Sequence, residues 1–451
     1  MFDPLSVADL VHDELRQRVE SGYDASGIEA DLAATSIDDL DRLEALYSEL
    51  INTKRRSDWA YQEPESLDDI LDAMLARPLE VTDPPGSPPA ERARRILGGW
   101  LGRIAGCNLG KPVEAGDFWT PSRIRAYLEM ANAYPLRDYI PALDPMPEGF
   151  RFHQSWPETT RGRVRGSARD DDIDYSILGL WLLERYGLAL TPGLVANAWL
   201  SFLPYLRVYT AERAAMVNLL HNVPITSVGE TRKPYREWIG ALIRADVFGW
   251  TLPGQPGSAA RLVWSDASLS HRCNGVYAAM WAAALVSLAS VTATVQQAVE
   301  QSLEYVPAHS RLAEALRGVQ QLYRARWSWE AAVETIRARF GQYGWVHSIN
   351  NACLITAGLL WGEGDFTSTV GLTVQGGWDT DSNGATAGSV VGTLLSADQL
   401  PPHFIEPLED RTRSAVFGYD NSRISDLARR TTALAEAGLG SDRHIHEPSP
   451  A

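Results

Sequence analysis

The stretch GGWDTDSNGATAGSVVG, residues 376–392, combines two carboxylates with a run of very small side chains. Asp379 and Asp381 come first. Three glycines then follow at intervals of four residues, at Gly384, Gly388 and Gly392. In a helix, that spacing places the glycines on one face, where a neighbouring backbone can approach closely. The stretch therefore predicts a tightly packed helix that begins beside two carboxylates.

A second acidic stretch, RDDDIDYSILGLWLLERYG at residues 169–187, opens with the consecutive aspartates Asp170, Asp171 and Asp172. One carboxylate is enough to cap a helix N-terminus, and adjacent like charges repel unless a cation gathers them. Carboxylate and hydroxyl oxygens are ligands for Mg²⁺, Mn²⁺ or Ca²⁺ rather than for zinc. Both a metal site and a solvated, capped helix start are consistent with these aspartates.

Helical patterns dominate the chain, whereas alternating strand patterns are scarce, so we expect an all-α fold. The proline-rich stretch VTDPPGSPPAE cannot continue a helix and predicts a boundary. We expect a compact multi-helix domain preceded by an N-terminal helical arm. The predicted parts are an acidic segment at 1–81, a linker at 82–91, the catalytic domain at 92–435 and a flexible tail at 436–451. The irregular, arginine-rich segment 134–170 is expected at the mouth of a site.

Composition and charge narrow the class of protein. The chain has 451 residues and a net charge of −16, of which residues 1–90 carry −14 from 21 acidic and 7 basic residues. No basic surface for nucleic acid is expected, and the acidic segment is a candidate surface for self-association or a partner. Three cysteines without metal spacing, no secretory signal and no membrane-spanning pattern predict a cytoplasmic protein.

Four motifs occur in one order along the chain: GGWLGRIAGCNLGKPVE at 98–114, DDDIDYSILGL at 170–180, SHRCNGVYAAM at 270–280 and the stretch from Gly376. Together they resemble the ADP-ribosylglycohydrolase family, to which the dinitrogenase-reductase-activating glycohydrolase belongs. The resemblance implies an all-α fold with two divalent ions, Mg²⁺ or Mn²⁺. Cys107, Asp170, Ile173 and Ser382 depart from the family pattern and indicate a divergent branch.

The resemblance also implies roles for individual residues. The implied metal ligands are Asp171, Asp172, Asp379, Asp381 and Ser382. Glu114, Asp170 and Asp172 are the implied catalytic carboxylates, which would orient or deprotonate a water. Asn274, Gly275 and Ser270 are the implied substrate contacts.

Five further side chains are candidates because of their chemistry and position in the sequence. His271 and His347 could reach a substrate hydroxyl or phosphate, although a buried structural histidine fits equally. Trp156, Trp345 and Trp378 could stack on an adenine ring, although tryptophans in helical proteins are commonly part of the core.

The function expected from these features is hydrolysis of a glycosidic bond by metal-activated water. The substrate would be an ADP-ribosylated protein or a small ADP-ribose-type riboside, cleaved through an oxocarbenium-like transition state. Two alternatives stay open: a hydrolase for another riboside in a specialised pathway, and a non-catalytic ADP-ribose-binding or structural relative.

Overall fold

The computed structural model describes residues 6–75, 88–114 and 116–440, and the regular secondary structure of this part of the chain is helical apart from one short hairpin and a few isolated bridges. The hairpin pairs β1, Arg411–Thr412, with β2, Ser422–Arg423, in antiparallel register. The predicted all-α class is therefore confirmed. The proline-rich stretch lies mostly outside the described residues, so its role as a linker stays a prediction.

The helices occur in four groups along the chain. The N-terminal segment contains α1 Val7–Glu20, α2 Ser26–Ala34, α3 Leu40–Ile51 and α4 Leu67–Asp72. The next group is α5 Pro89–Gly110, α6 Pro121–Met130, α7 Trp156–Thr159, α8 Asp171–Tyr186, α9 Pro192–Phe202 and α10 Thr210–Leu220. There follow α11 Asp246–Thr251, α12 Pro256–Ala267, α13 Cys273–Ala289, α14 Val295–Ser302, α15 Arg311–Arg324 and α16 Trp329–Phe340. The last are α17 Ser348–Gly362, α18 Phe366–Gln375, α19 Thr380–Leu395, α20 Pro402–Ile405 and α21 Ile424–Ala437.

Helices α5 and α19 pack backbone against backbone. A Cβ atom on Gly102 would lie 2.1 Å from the carbonyl oxygen of Gly388, and one on Gly106 would lie 2.0 Å from that of Gly384. Because residue numbers rise along α5 as they fall along α19, the two helices are antiparallel. The contact therefore brings the C-terminal end of α5 to the start of α19, where Thr380 Oγ1 donates a hydrogen bond to Gly110 O at 2.9 Å.

The centre of the molecule is α13, in which every residue is buried. Its alanine-rich sequence packs against α11, α12, α14 and α19. None of the described helices has the length and apolarity that a bilayer crossing requires. The long apolar run from Gly275 is therefore a core helix.

The N-terminal segment packs onto the rest of the chain. Helices α1 to α3 share a small core of their own, built around Leu46 and Leu50. Helix α4 instead contributes Ile70 and Leu71 to the main core. Buried polar contacts join the two parts, with Arg311 Nε 2.8 Å from Glu63 Oε1. The division of the chain at residue 81 stays a prediction, because residues 76–87 lie outside the described part.

Candidate active site

The carboxylates converge where three helix ends meet. Helix α8 begins at Asp171, and the side chain of Asp170 caps it by accepting a hydrogen bond from Asp172 N at 3.0 Å. The capping interpretation of the three aspartates thus holds for Asp170. At the start of α19, Asp379 occupies the N-cap position, but its side chain makes no capping hydrogen bond and is free to face the other acids.

Lys111 lies in the middle of this cluster. It follows α5 directly, and its Nζ is 2.8 Å from Glu114 Oε2 and 2.8 Å from Asp381 Oδ2, and also contacts Asp170 Oδ2. These carboxylates raise the pKa of Lys111 well above its usual value although burial opposes them, so the ammonium stays charged. The sequence analysis did not single out this residue, although it lies within the first motif.

Asp172 has protein partners for both of its carboxylate oxygens. Arg103 Nη2 is 3.0 Å from Asp172 Oδ1, and Ser382 Oγ donates a hydrogen bond to Asp172 Oδ2 at 3.0 Å. The other side of the buried Arg103 guanidinium lies 2.7 Å from Asp246 Oδ2. The structure therefore brings Asp172 and Ser382 together as predicted, and adds Arg103 as a fixed positive charge behind them.

Two groups of side chains in the described part of the chain have ligand atoms within 4.8 Å of one another. One group is Glu114, Asp379 and Asp381; the other is Cys107, Asp170 and Asp381. The first offers three carboxylates, the donor set of a hard divalent ion. Asp381 Oδ1 is buried without a hydrogen-bond partner, and a cation between these acids would satisfy it.

Two carboxyl groups of the first group are harder to ionise than usual. Burial, followed by the charge of Asp381, raises the pKa of Glu114 and of Asp379 well above the usual carboxyl value. A bound divalent cation would reverse this effect because it stabilises the ionised carboxylates. In the second group, burial and nearby acids raise the pKa of the Cys107 thiol, so the sulfur is protonated and a poor ligand.

A cavity of about 930 Å³ opens above the cluster, with Lys111, Asp171, Asp379 and Asp381 among its lining residues. Asp171 is half-buried there, and burial followed by the charge of Asp170 raises its pKa to about 8. The volume matches a ligand of nucleotide size.

Aromatic and basic side chains also line the cavity. Trp238, Trp345 and Tyr209 supply aromatic surface, while Arg207 and Arg413 supply positive charge. Trp345 lines the cavity, whereas Trp156 packs under the guanidinium of Arg163, and stacking on adenine stays a prediction for both. Trp378 is buried under the guanidinium of Arg337, whose Cζ is 4.4 Å from the ring centre. Neither Trp238 nor the basic pair was predicted, since no local motif marks them.

The irregular segment 134–170 reaches the cavity, as expected for a mouth segment. It contributes His153, Ser155 and Glu158 to the lining. His153 Nδ1 lies 4.0 Å from Glu114 Oε2, and burial followed by the charge of Lys111 lowers its pKa. The imidazole is therefore neutral at pH 7.

The predicted substrate contacts Asn274 and Gly275 lie beneath the cavity wall and do not line it. Asn274 Nδ2 donates hydrogen bonds to Glu63 Oε1 at 2.7 Å and to Glu237 Oε1 at 2.8 Å. A Cβ atom on Gly275 would lie 2.4 Å from the carbonyl oxygen of Arg236, so only glycine fits there. Their direct contact with substrate stays a prediction, and their contacts in this structure are internal.

The other three predicted contacts are also fully buried. Ser270 Oγ accepts a hydrogen bond from Arg244 Nη2 at 3.0 Å and lies 2.8 Å from His271 Nδ1. His347 pairs with Trp238 in an isolated antiparallel bridge. All three support the segments that form the wall, and substrate contact by them likewise stays a prediction.

The structure thus places buried carboxylates in a nucleotide-sized cavity of an all-α fold. The family model described as ADP-ribosylglycohydrolase matches residues 88–440, and the chain belongs to that family. A solved structure described as an ADP-ribosylglycohydrolase-related protein complex is similar at 18% identity and a TM-score of 0.43, with 77% of this chain and 99% of that chain covered. No match was found among curated proteins.

Proposed function

We propose that this protein is a metal-dependent glycohydrolase that removes an ADP-ribosyl group from a protein or a small molecule. The observation that carries the proposal is the group of three carboxylates, Glu114, Asp379 and Asp381, with ligand atoms within 4.8 Å of one another at the floor of the cavity. Family membership supports the same reaction class.

The implied cofactor is Mg²⁺ or Mn²⁺, held by Glu114, Asp379 and Asp381. When bound, a divalent ion orients ribose hydroxyls and lowers the pKa of a water at the anomeric carbon. The resemblance implies a second ion with Asp171, Asp172 and Ser382 among the ligands. All three line the cavity, but Asp171 is the most exposed of them, whereas Asp172 and Ser382 are buried and hydrogen-bonded to each other.

The chain's own residues would bind and orient the substrate. Asp170 would hold Lys111 in place while Asp171 accepts or donates the proton of the attacking water or leaving group. Trp345 or Trp238 would stack on the adenine ring. Arg207 and Arg413 would contact the diphosphate, for which guanidinium groups are suited by charge and geometry.

The test is a double substitution, Asp379→Ala with Asp381→Ala, in the full chain. Without these two ligands, we expect Mn²⁺ binding to disappear and release of ADP-ribose from an ADP-ribosylated protein to fall at least about 100-fold, as for loss of a central catalytic group. Asp58→Ala, which changes an exposed carboxylate, is the matched control. Full activity in the double variant would overturn the metal-dependent mechanism.

A second candidate, a non-catalytic ADP-ribose-binding relative, is favoured by one observation. Lys111 already neutralises part of the acidic cluster, as expected of a site that no longer activates water. Calorimetry with ADP-ribose distinguishes the two functions: tight binding of ADP-ribose without turnover of any ADP-ribosylated substrate would support the binding protein. Self-association or partner docking through residues 1–90 and a cytoplasmic location stay predictions.

A further inference from the structure

We infer that the Lys111 ammonium takes one of the two cation positions that the family resemblance implies, so that this chain binds one divalent ion. The inference rests on the proposed metal site and specifies its composition. The supporting observation is that Lys111 contacts some carboxylate oxygens of the cluster, while the other carboxylate oxygens form a separate group of possible metal ligands.

The first step is the coordination of Lys111. An ammonium is a compact point charge with three hydrogen-bond donors. Its neighbours here are three carboxylates, those of Glu114, Asp170 and Asp381. The ammonium donates a hydrogen bond to Asp381 Oδ2 and forms ion pairs with Glu114 and Asp170, so three carboxylates surround one cation.

The second step is the rigidity of this arrangement. Lys111 follows Gly110, at which a Cβ atom would lie 2.1 Å from the carbonyl oxygen of Thr380. The backbone before Lys111 is therefore clamped against the start of α19, one residue from Asp381. The lysine side chain is largely buried, and only a small part of it borders the cavity. Its backbone is therefore fixed beside the acids that surround the ammonium.

The third step is the division of Asp381 between two neighbours. Its Oδ2 atom contacts Lys111, whereas its buried Oδ1 atom has no hydrogen-bond partner. Glu114 and Asp379 complete the group of three carboxylates around that side. This group keeps the donors for one hard divalent ion, and the unsatisfied oxygen indicates where the ion contacts Asp381.

The fourth step concerns the other group, Cys107, Asp170 and Asp381. Lys111 contacts both of its carboxylates, and the remaining donor is a thiol, a soft ligand that Mg²⁺ and Mn²⁺ do not favour. A second divalent ion in this group would have to displace the ammonium from two carboxylates and bind beside sulfur. The ligands that the resemblance implies for it include Asp172, both of whose carboxylate oxygens already contact Arg103 or Ser382. The fixed single charge of Lys111 therefore takes the place of a second ion.

The test measures how many Mn²⁺ ions bind to each chain. Full-length protein is dialysed to equilibrium with Mn²⁺, bound metal is measured, and electron paramagnetic resonance reports whether bound ions are magnetically coupled. We expect one uncoupled Mn²⁺ per chain. In Lys111→Ala, removal of the ammonium opens the second position, and we expect two ions with a coupled spectrum. Lys54→Ala, at an exposed lysine, should still bind one.

Two ions in the wild-type protein would overturn the inference, as would a folded Lys111→Ala variant that still binds one ion, or a wild-type protein that binds none. If Lys111→Ala does not fold, the wild-type count and spectrum decide alone. Failure of the proposed function is recognised separately: one bound ion without hydrolysis of any ADP-ribosylated substrate supports the role of Lys111 and contradicts the hydrolase. Two bound ions with hydrolysis give the opposite result.

Discussion

Arg103 supplies the positive charge that compensates buried carboxylates at one side of the acidic cluster. Its guanidinium is wholly buried between the carboxylates of Asp172 and Asp246. Burial, together with the charges of neighbouring acids such as Asp170 and Asp381, raises the pKa of Asp172 despite this partner, so without Arg103 the carboxylate would face those acids uncompensated. An arginine suits this position because its planar fork can bond to two acids at once.

Replacing Arg103 should therefore destabilise the protein strongly. For Arg103→Ala, we expect the free energy of unfolding to fall by about 3–5 kcal/mol, because a buried ion pair loses one partner. Urea unfolding followed by circular dichroism measures the change. The matched control is Arg125→Ala, which breaks a solvent-exposed ion pair with Glu129 and should leave the free energy of unfolding almost unchanged. Equal losses in both variants would contradict the role assigned to Arg103.

The acidic residues of the site could be predicted from the sequence, whereas the basic residues that pair with them could not. The aspartates near 171 and 380 belong to ordered motifs, so the residues that converge could be predicted without the fold. Arg103 and Lys111 also lie within a motif, but an arginine or lysine in a helix usually points to solvent. Their pairing with Asp172 and Asp381 depends on contacts across a large sequence separation, which only the folded chain reveals.

At the scale of elements, the contact between α5 and α19 sets the geometry of the site. The glycines of α19 were predicted to let a backbone approach closely, and this is confirmed by Gly384 and Gly388. The partner was not identified, although α5 carries its own glycines at the same spacing, at Gly98, Gly102, Gly106 and Gly110. Two matching small-residue faces in one sequence were the signal that could have paired these helices.

A methyl group in this contact should separate the two helices. A Cβ atom on Gly388 would lie 2.2 Å from Gly102 O, so Gly388→Ala requires the backbones to shift. We expect stability to fall by about 1–3 kcal/mol, as for an overpacked core, and Mn²⁺ affinity to fall because Glu114 moves away from Asp381. Thermal unfolding and metal titration measure the two effects.

Gly27→Ala provides the comparison within the same chain. Gly27 lies in α2, and a Cβ atom there meets nothing within 4 Å. Alanine favours a helix over glycine by up to about 1 kcal/mol, so this variant should be at least as stable as the wild-type protein. If Gly388→Ala behaved in the same way, the close approach of α5 and α19 would not constrain the site.

At the scale of the whole molecule, buried charges other than the cluster make stability depend on pH. Lys233 is fully buried and its ammonium donates a hydrogen bond to Ala211 O. Burial lowers the pKa of Lys233 to about 7, well below its value in an unfolded chain. Between pH 7 and about 10, the unfolded state therefore binds more protons than the folded state, and this residue's contribution to stability rises with pH.

The substitution Lys233→Met isolates this contribution. Relative to the wild-type protein, the variant should gain most in melting temperature at or below pH 7, where the buried ammonium is charged in both states. The gain should shrink as pH is raised towards 10. Lys54→Met, at an exposed lysine, should show no such trend. A difference between Lys233→Met and wild type that stays constant across this range would contradict the lowered pKa.

The packing of the N-terminal segment onto the rest of the chain limits where the protein can be shortened. The family match begins at residue 88, which makes that position an inviting place to start a shortened clone. A protein that begins there would lack Glu63. Arg311 would then keep its ion pair with Glu237 but lose the one with Glu63. Asn274 would lose the hydrogen bond that its Nδ2 donates to Glu63. The useful unit for expression and crystallisation is therefore the long chain, because its first helices cover the underside of the wall that shapes the cavity.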